Sequence, residues 1–277
     1  MLKIGTMQGR LTPTKSRGAQ FFPSENWQKE FEIGKSVGID FFDMVLDKQS
    51  FDTHPLLSQG GIVKIKKVSS RTSVPAKVVC VHLLVEKTIG SDKDCDSKTL
   101  KKIMISGRNC GANIVELPLL EKSSLAGKNV WETAHQIIMD CLPIIEKTNS
   151  SLAIESDLET SKLIEFIKTF RSKKIGVVYD MGNSAALNRN PRQEITELGK
   201  LIFNVHIKDR LLNGPSVFLG SGNTNFEKVF ETIAEIGYLG DFVLEAKRGN
   251  DNEEVKTIKS QIAFTKKLIN KYLLSKS

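Results

Sequence analysis

Cysteine is scarce in this 277-residue chain, and the four present, Cys80, Cys95, Cys110 and Cys141, lie far apart with no CxxC pair. That speaks against a zinc knuckle and a redox motif and leaves reduced, structural thiols. No stretch reaches the roughly 18 consecutive apolar residues of a transmembrane helix, and the N-terminal MLKIGTMQGR has no apolar core of signal-peptide length. A cytoplasmic protein with no membrane partner is therefore expected. Pro/Gly/Ser-rich linkers are missing as well, so residues 1–277 read as a single domain. No Gly-rich GxGxxG follows the first apolar run, which counts against a dinucleotide-binding sheet.

The composition is that of a globular protein able to bury a sizeable core, with 40% hydrophobic and 26% charged residues. The formal charge of +8 invites a phosphate-rich partner. The lysines, however, stand in runs such as KIKK, TLKK and FTKK that flank apolar positions at helical spacing. They describe a solvated helical surface, and no nucleic-acid partner is expected.

Eight short apolar or β-branched runs recur along the chain: Leu2 to Gly5, Phe41 to Val45, Val78 to Val81, Asn113 to Leu117, Leu152 to Glu155, Gly176 to Tyr179, Phe203 to Ile207 and Phe242 to Glu245. Helix-like segments separate them, the alternation of βα units and a parallel sheet. Trp27, Phe31 and Val37 follow a candidate Ser24 cap, and Phe226, Val229, Phe230 and Ile233 precede Gly237 at a C-cap position. A last amphipathic segment carries Val255, Ile258, Ile262, Leu268, Ile269 and Tyr272. The stretch from Gly60 to Ala76 gives the poorest helical pattern. The expected fold is an α/β (β/α)8 TIM barrel, with an open doubly wound sheet as the alternative; barrels of this kind run to about 250 residues and more.

Four polar residues close such runs: Glu155 in SLAIES, Asp180 in IGVVYD, His206 in FNVHIK and Glu245 in FVLEAK. In a parallel barrel the C-terminal ends of the strands build the active site, so the ends of strands 5 to 8 are neighbours. Three carboxylates and one imidazole form a mainly hard donor set suited to one divalent ion, manganese, magnesium or cobalt, with zinc also acceptable. Such an ion can bind the carbonyl and adjacent hydroxyl of a keto-sugar and acidify the C–H between them. Glu155 and Glu245, on strands 5 and 8, then suit a two-base proton transfer. Lys208 shares strand parity with His206 and either faces the pocket or pairs with Asp209 at the rim. Gln8 and Arg10 in MQGRL, and His82 after strand 3, are candidate substrate contacts. Glu116 and Arg248 are candidate pocket linings, and His54 and His135 carry no functional expectation.

The segments MQGRL, LAIESD, VVYDMGN, VHIKDR, LGSGNTNF and FVLEAKR, with the order Glu, Asp, His, Glu, resemble the xylose isomerase-like TIM-barrel superfamily. That superfamily contains sugar (phosphate) isomerases and epimerases, D-tagatose 3-epimerase among them, and endonuclease IV. The resemblance implies that Glu155, Asp180, His206 and Glu245 ligate the ion and that the two glutamates act as acid and base. Its epimerase branches often carry a histidine three residues after the aspartate, in contact with substrate; here the residue is Asn183, which can hydrogen-bond but cannot carry a proton. The implied function is a metal-dependent isomerase or epimerase of a keto-sugar or sugar phosphate, with a homodimer as the assembly. The same barrel also hosts inosose dehydratase-like lyases, apurinic endonucleases and, if silent, a sugar-binding protein. The nuclease needs further histidines, yet the chain has four in all, and GSGNTNF lacks an Asp/His pair.

Overall fold

A computed structural model describes residues 2–15 and 17–274. Its eight parallel strands close into a barrel in strict sequence order: β1 (Ile4–Met7), β2 (Phe41–Val45), β3 (Ala76–Cys80), β4 (Ile114–Leu119), β5 (Ser151–Ser156), β6 (Ile175–Asp180), β7 (Ile202–Ile207) and β8 (Asp241–Leu244). Closure is carried by β1 against β8, where Ile4, Gly5 and Thr6 pair with Phe242, Val243 and Leu244. The closed barrel replaces the open-sheet alternative. The first strand lies two residues later than its apolar run, because Gly5 through Met7 keep register with Phe41 through Asp43 of β2.

Eight helices cover the barrel: α1 (Trp27–Val37), α2 (Gln59–Thr72), α4 (Ser97–Cys110), α5 (Val130–Thr148), α6 (Thr160–Thr169), α8 (Pro191–Leu198), α9 (Phe226–Glu235) and α10 (Glu254–Ile269). Two short helices, α3 (Leu83–Glu86) and α7 (Met181–Ala186), follow the ends of β3 and β6. The poorly patterned Gly60 to Ala76 stretch holds α2, whose buried Ile62, Ile65 and Val68 keep helical spacing while Ser58 Oγ accepts from Gly61 N at 3.1 Å. Gly61 is demanded by packing, since a Cβ there would lie 2.0 Å from the Pro55 carbonyl oxygen. At α1 the cap position falls on Asn26, not Ser24. Val255 in α10 is 41% exposed, off the buried stripe of Ile258, Ile262, Leu268 and Ile269. Lys64, Lys66, Lys67, Lys266 and Lys267 are exposed on α2 and α10, the solvated surface expected of them. All four cysteines are buried free thiols. Among the described residues no helix is long and apolar enough to cross a membrane.

Strand alternation sorts side chains into two environments. Ile4, Phe42, Val79, Phe242 and Leu244 face the helices, with Phe31, Phe166 and Phe230, in one continuous core. Met7, Phe41, Val45, Val78, Cys80 and Val243 fill the barrel interior. Residues of that same inward parity nearer the strand ends are polar, and they make the site.

Candidate active site

Glu155 is the fifth residue of β5, Asp180 the last of β6, His206 the fifth of β7, and Glu245 follows β8 directly. Pairing of Asp180 with His206 sets the ends of β6 and β7 level, and Glu245 N donates to the Ile207 carbonyl at 3.1 Å beside them. One ligand atom from each of the four lies within 4.8 Å of the others, and all four residues are buried. The donors are three carboxylates and one imidazole, which fits one divalent cation with positions left for a substrate.

Each oxygen of Asp180 has its own task. Oδ1 accepts from Gly182 N and Asn183 N, both at 2.8 Å, and so starts α7, while Oδ2 accepts from Lys208 Nζ at 3.0 Å. Lys208 also donates to Glu245 Oε1 at 2.6 Å. Its stem reaches there across Gly182, where a Cβ would stand 2.7 Å from Lys208 Cγ. The rim pairing with Asp209 does not form. Asp209 is buried and accepts instead from Gly220 N, Gly222 N and Thr224 N at 2.9, 2.8 and 3.0 Å, folding the loop before α9.

His206 is fully buried, its Nδ1 2.6 Å from Glu245 Oε2 and its Nε2 3.1 Å from Glu116 Oε2. Burial opposes its charge, but Glu116 and Glu245 raise its pKa well above the imidazole range. Burial likewise opposes ionisation of Glu245, yet Lys208 and His206 hold that carboxyl well below the usual carboxylate range. Among the described residues Glu155 has no ammonium or guanidinium hydrogen-bond donor, and it accepts from Asn183 Nδ2 at 2.6 Å. Burial, then Glu245 and Asp180, push it up to about 8.

Above the quartet opens a cavity of about 1030 Å³, lined by Arg10, His82, Glu155, Asn183, Lys208, Glu245 and Arg248 among others. Gln8 does not line it; it shares the outward parity of Ile4 and Thr6, and its buried amide has no hydrogen-bond partner among the described residues. Arg10 is 6% exposed and donates to the carbonyls of Ala246 at 2.5 Å and Glu245 at 3.4 Å. Arg248 donates to the carbonyls of Gly9 and Thr12, tying the loop after β8 to the loop after β1. His82 is held toward its neutral form by burial. His54 lies in the helix layer against Phe22, and His135 stacks on Phe170.

A model of the xylose isomerase-like TIM barrel matches residues 31–268. The chain belongs to that family. Across 239 residues it is 23% identical to L-ribulose-5-phosphate 3-epimerase UlaE of Escherichia coli O1:K1, covering 80% of this chain and 82% of the relative. The structure of an L-ribulose 3-epimerase superposes with a TM-score of 0.76 at 17% identity, covering 98% of this chain and 96% of that one. The IOLI protein with a bound zinc atom superposes with a TM-score of 0.73 at 16% identity, covering 98% and 99%. These solved members share the fold of the barrel described above.

Two polar residues of this family member gain a place that the linear pattern hid. Arg210 lines the cavity, donates to Asn183 Oδ1 at 2.8 Å and anchors itself on the Gly214 carbonyl. By taking the amide oxygen it turns the Asn183 NH2 toward Glu155. Glu116 sits below the cavity rather than on its wall, 1% exposed, with Asp43 of β2 beside it. Burial and then the Glu116 charge push the Asp43 carboxyl well above its usual range. The VHIKDR motif was the only signal for Arg210, and alternation along β4 the only one for Glu116.

Proposed function

We propose that the protein is a divalent-metal-dependent isomerase or epimerase of a keto-sugar or sugar phosphate. One observation carries this: Glu155, Asp180, His206 and Glu245 bring a ligand atom each within 4.8 Å of one another, with Glu155 and Glu245 lining a large cavity. Those four residues would hold the ion, and the oxygen-rich set favours manganese, magnesium or cobalt over an exclusive zinc site. The bound cation supplies electrophilic polarisation of the substrate carbonyl, lowering the pKa of the neighbouring C–H.

The protein's own groups do the rest. Glu155 and Glu245 stand three strands apart around the ring and both face the cavity, one for each face of a planar enediolate. One takes the proton from carbon, and the other, starting protonated, donates its own to the opposite face, inverting that carbon. Lys208 sits where an ammonium stabilises the developing oxyanion. Arg10, His82 and Arg248 line the walls as contacts for hydroxyls or a phosphate, and Asn183 bonds a hydroxyl where its family often uses histidine. The names of the curated relative and of the solved epimerase agree with this reading.

The test is a screen of pentuloses, hexuloses and their phosphates in deuterated water with added manganese, magnesium or cobalt. Solvent deuterium is expected at one carbon next to the carbonyl of the true substrate, with its epimer accumulating. Loss of a hydroxyl without epimer, or three zinc ions bound per chain, would overturn the proposal.

A further inference from the structure

His206 presents two nitrogens to two different carboxylates, and only one of them belongs to the ligand quartet. Nδ1 faces Glu245 among the candidate ligands, while Nε2 faces Glu116 Oε2 at 3.1 Å beneath them. Glu116 reaches this place from β4, across the barrel from β7, and its other oxygen accepts from Asn204 Nδ2 at 2.6 Å. Asn204 is itself fixed, since its Oδ1 accepts from Val205 N at 3.1 Å. Both Glu116 and Asn204 are at most 1% exposed, and neither lines the cavity. Substrate therefore does not reach them.

A carboxylate in such a place is expensive. The layer beneath it in the barrel is apolar, with Phe41, Val45, Val78 and Val243, and a buried charge is tolerated only when hydrogen bonds replace its water. Asn204 and His206 supply those bonds. An imidazole that ligates a cation must offer a bare nitrogen to it and carry its proton on the other, and the partner of that second nitrogen selects the tautomer. Without a bound cation both nitrogens face carboxylates, Nδ1 that of Glu245 at 2.6 Å and Nε2 that of Glu116 at 3.1 Å; a cation in the quartet would take the place of the Nδ1 proton, and the carboxylate at Nε2 then keeps the remaining proton on Nε2.

We propose that Glu116 is the positioning residue of the metal centre, fixing the ring orientation and tautomer of His206 through the Nε2–H bond, with Asn204 holding Glu116 in turn. This rests on the reading of the quartet as a cation site.

The test uses full-length protein stripped with chelator and titrated calorimetrically with Co2+, followed by the visible spectrum of the cobalt form. Glu116→Met, similar in volume but with no acceptor for an N–H, is expected to lower Co2+ affinity roughly 10- to 100-fold and to shift the cobalt bands. Glu116→Gln, which keeps an acceptor, is expected to recover most of that loss. Asn204→Ala, which leaves the carboxylate but frees it, is expected to fall between them, and it serves as the deciding variant if Glu116→Met does not fold. Thermal melts in chelator separate this from a packing role, which would lower the midpoint of the metal-free protein and leave the affinity and spectrum of the folded fraction intact. Wild-type cobalt affinity and spectrum in folded Glu116→Met or Asn204→Ala would overturn the proposal. If wild type and Asp180→Asn alike bind no cation, the quartet reading falls and this inference with it.

Discussion

On the β5–β6 side of the site, Glu155 meets a neutral amide, whereas on the β7–β8 side Glu245 meets an ammonium and an imidazole. Both carboxylates are buried, yet burial wins at Glu155, pushing it up to about 8, and loses at Glu245, which stays well below its usual range. The difference is one of partners, since both are less than a tenth exposed. Groups whose surroundings drive their proton affinities apart are suited to opposite tasks in proton transfer. Without a bound cation, the β5–β6 side favours a held proton and the β7–β8 side a held charge.

The largest effect expected is on turnover. Glu155→Gln or Glu245→Gln removes one of the two proton carriers and should lower turnover on the substrate found in the deuterium screen by about 10²- to 10⁴-fold. Near wild-type rates in either variant, with deuterium still entering from solvent, would break the two-base assignment.

Stability separates the two sides. Glu245→Gln leaves Lys208, with its side chain 13% exposed, and His206 without their shared anion, and is expected to cost about 3–5 kcal/mol. Glu155→Gln replaces a carboxyl already inclined to be neutral and should cost less than about 1 kcal/mol. Urea unfolding of both variants in chelator measures the gap, and equal costs would remove the asymmetry. His206→Ala, by contrast, is expected mainly to weaken cation binding while turnover recovers with added metal.

That asymmetry was invisible in the linear pattern, where Glu155 and Glu245 both close an apolar run. The eight strands were legible because short apolar runs alternate with helix-like segments, and the last four runs end in or directly before a polar residue. The quartet was legible because each member closes an apolar run at a strand end, and Lys208 because it shares strand parity with His206. Gln8 lies off the cavity wall, because β1 extends through Thr6 and Met7 and gives the next residue the outward parity of Ile4. Glu116 and Arg210 needed the closed barrel and the folded loop after β7, since their partners are 90 and 27 residues away. Local spacing carries no signal over such distances.

Glu30 tests the same rule away from the quartet. It is fully buried and, among the described residues, accepts only from uncharged donors, Gly9 N at 2.8 Å, Leu11 N at 2.9 Å and the Thr12 hydroxyl at 3.0 Å, and burial raises it to about 7. The folded protein thus keeps a proton that the unfolded chain releases near its ordinary value of 4.5. Stability from this group is full below that value, falls as pH rises towards about 7, and is level above it. The loss amounts to roughly 3 kcal/mol at most. The difference in unfolding free energy between wild type and Glu30→Gln, followed from pH 4.5 to 8, should change across that window. A flat difference would mean that neutral donors suffice to keep a buried carboxylate ionised, and the contrast between Glu155 and Glu245 would lose its physical basis.

The smallest effect expected belongs to Asn183. Arg210 takes its amide oxygen, and its NH2 makes the 2.6 Å bond to Glu155 Oε1. Asn183→Ala removes that bond and costs about 1 kcal/mol. That corresponds to roughly a fivefold fall in turnover if the whole loss falls on the transition state. Cobalt affinity should change less, because the atoms facing Lys208 and His206 are untouched. A fall as deep as that of Glu155→Gln would show that Asn183 does more than orient Glu155. An equal weakening of cation binding would show that the two sides of the site act as one, and the division between a proton-holding and a charge-holding side would have to be given up.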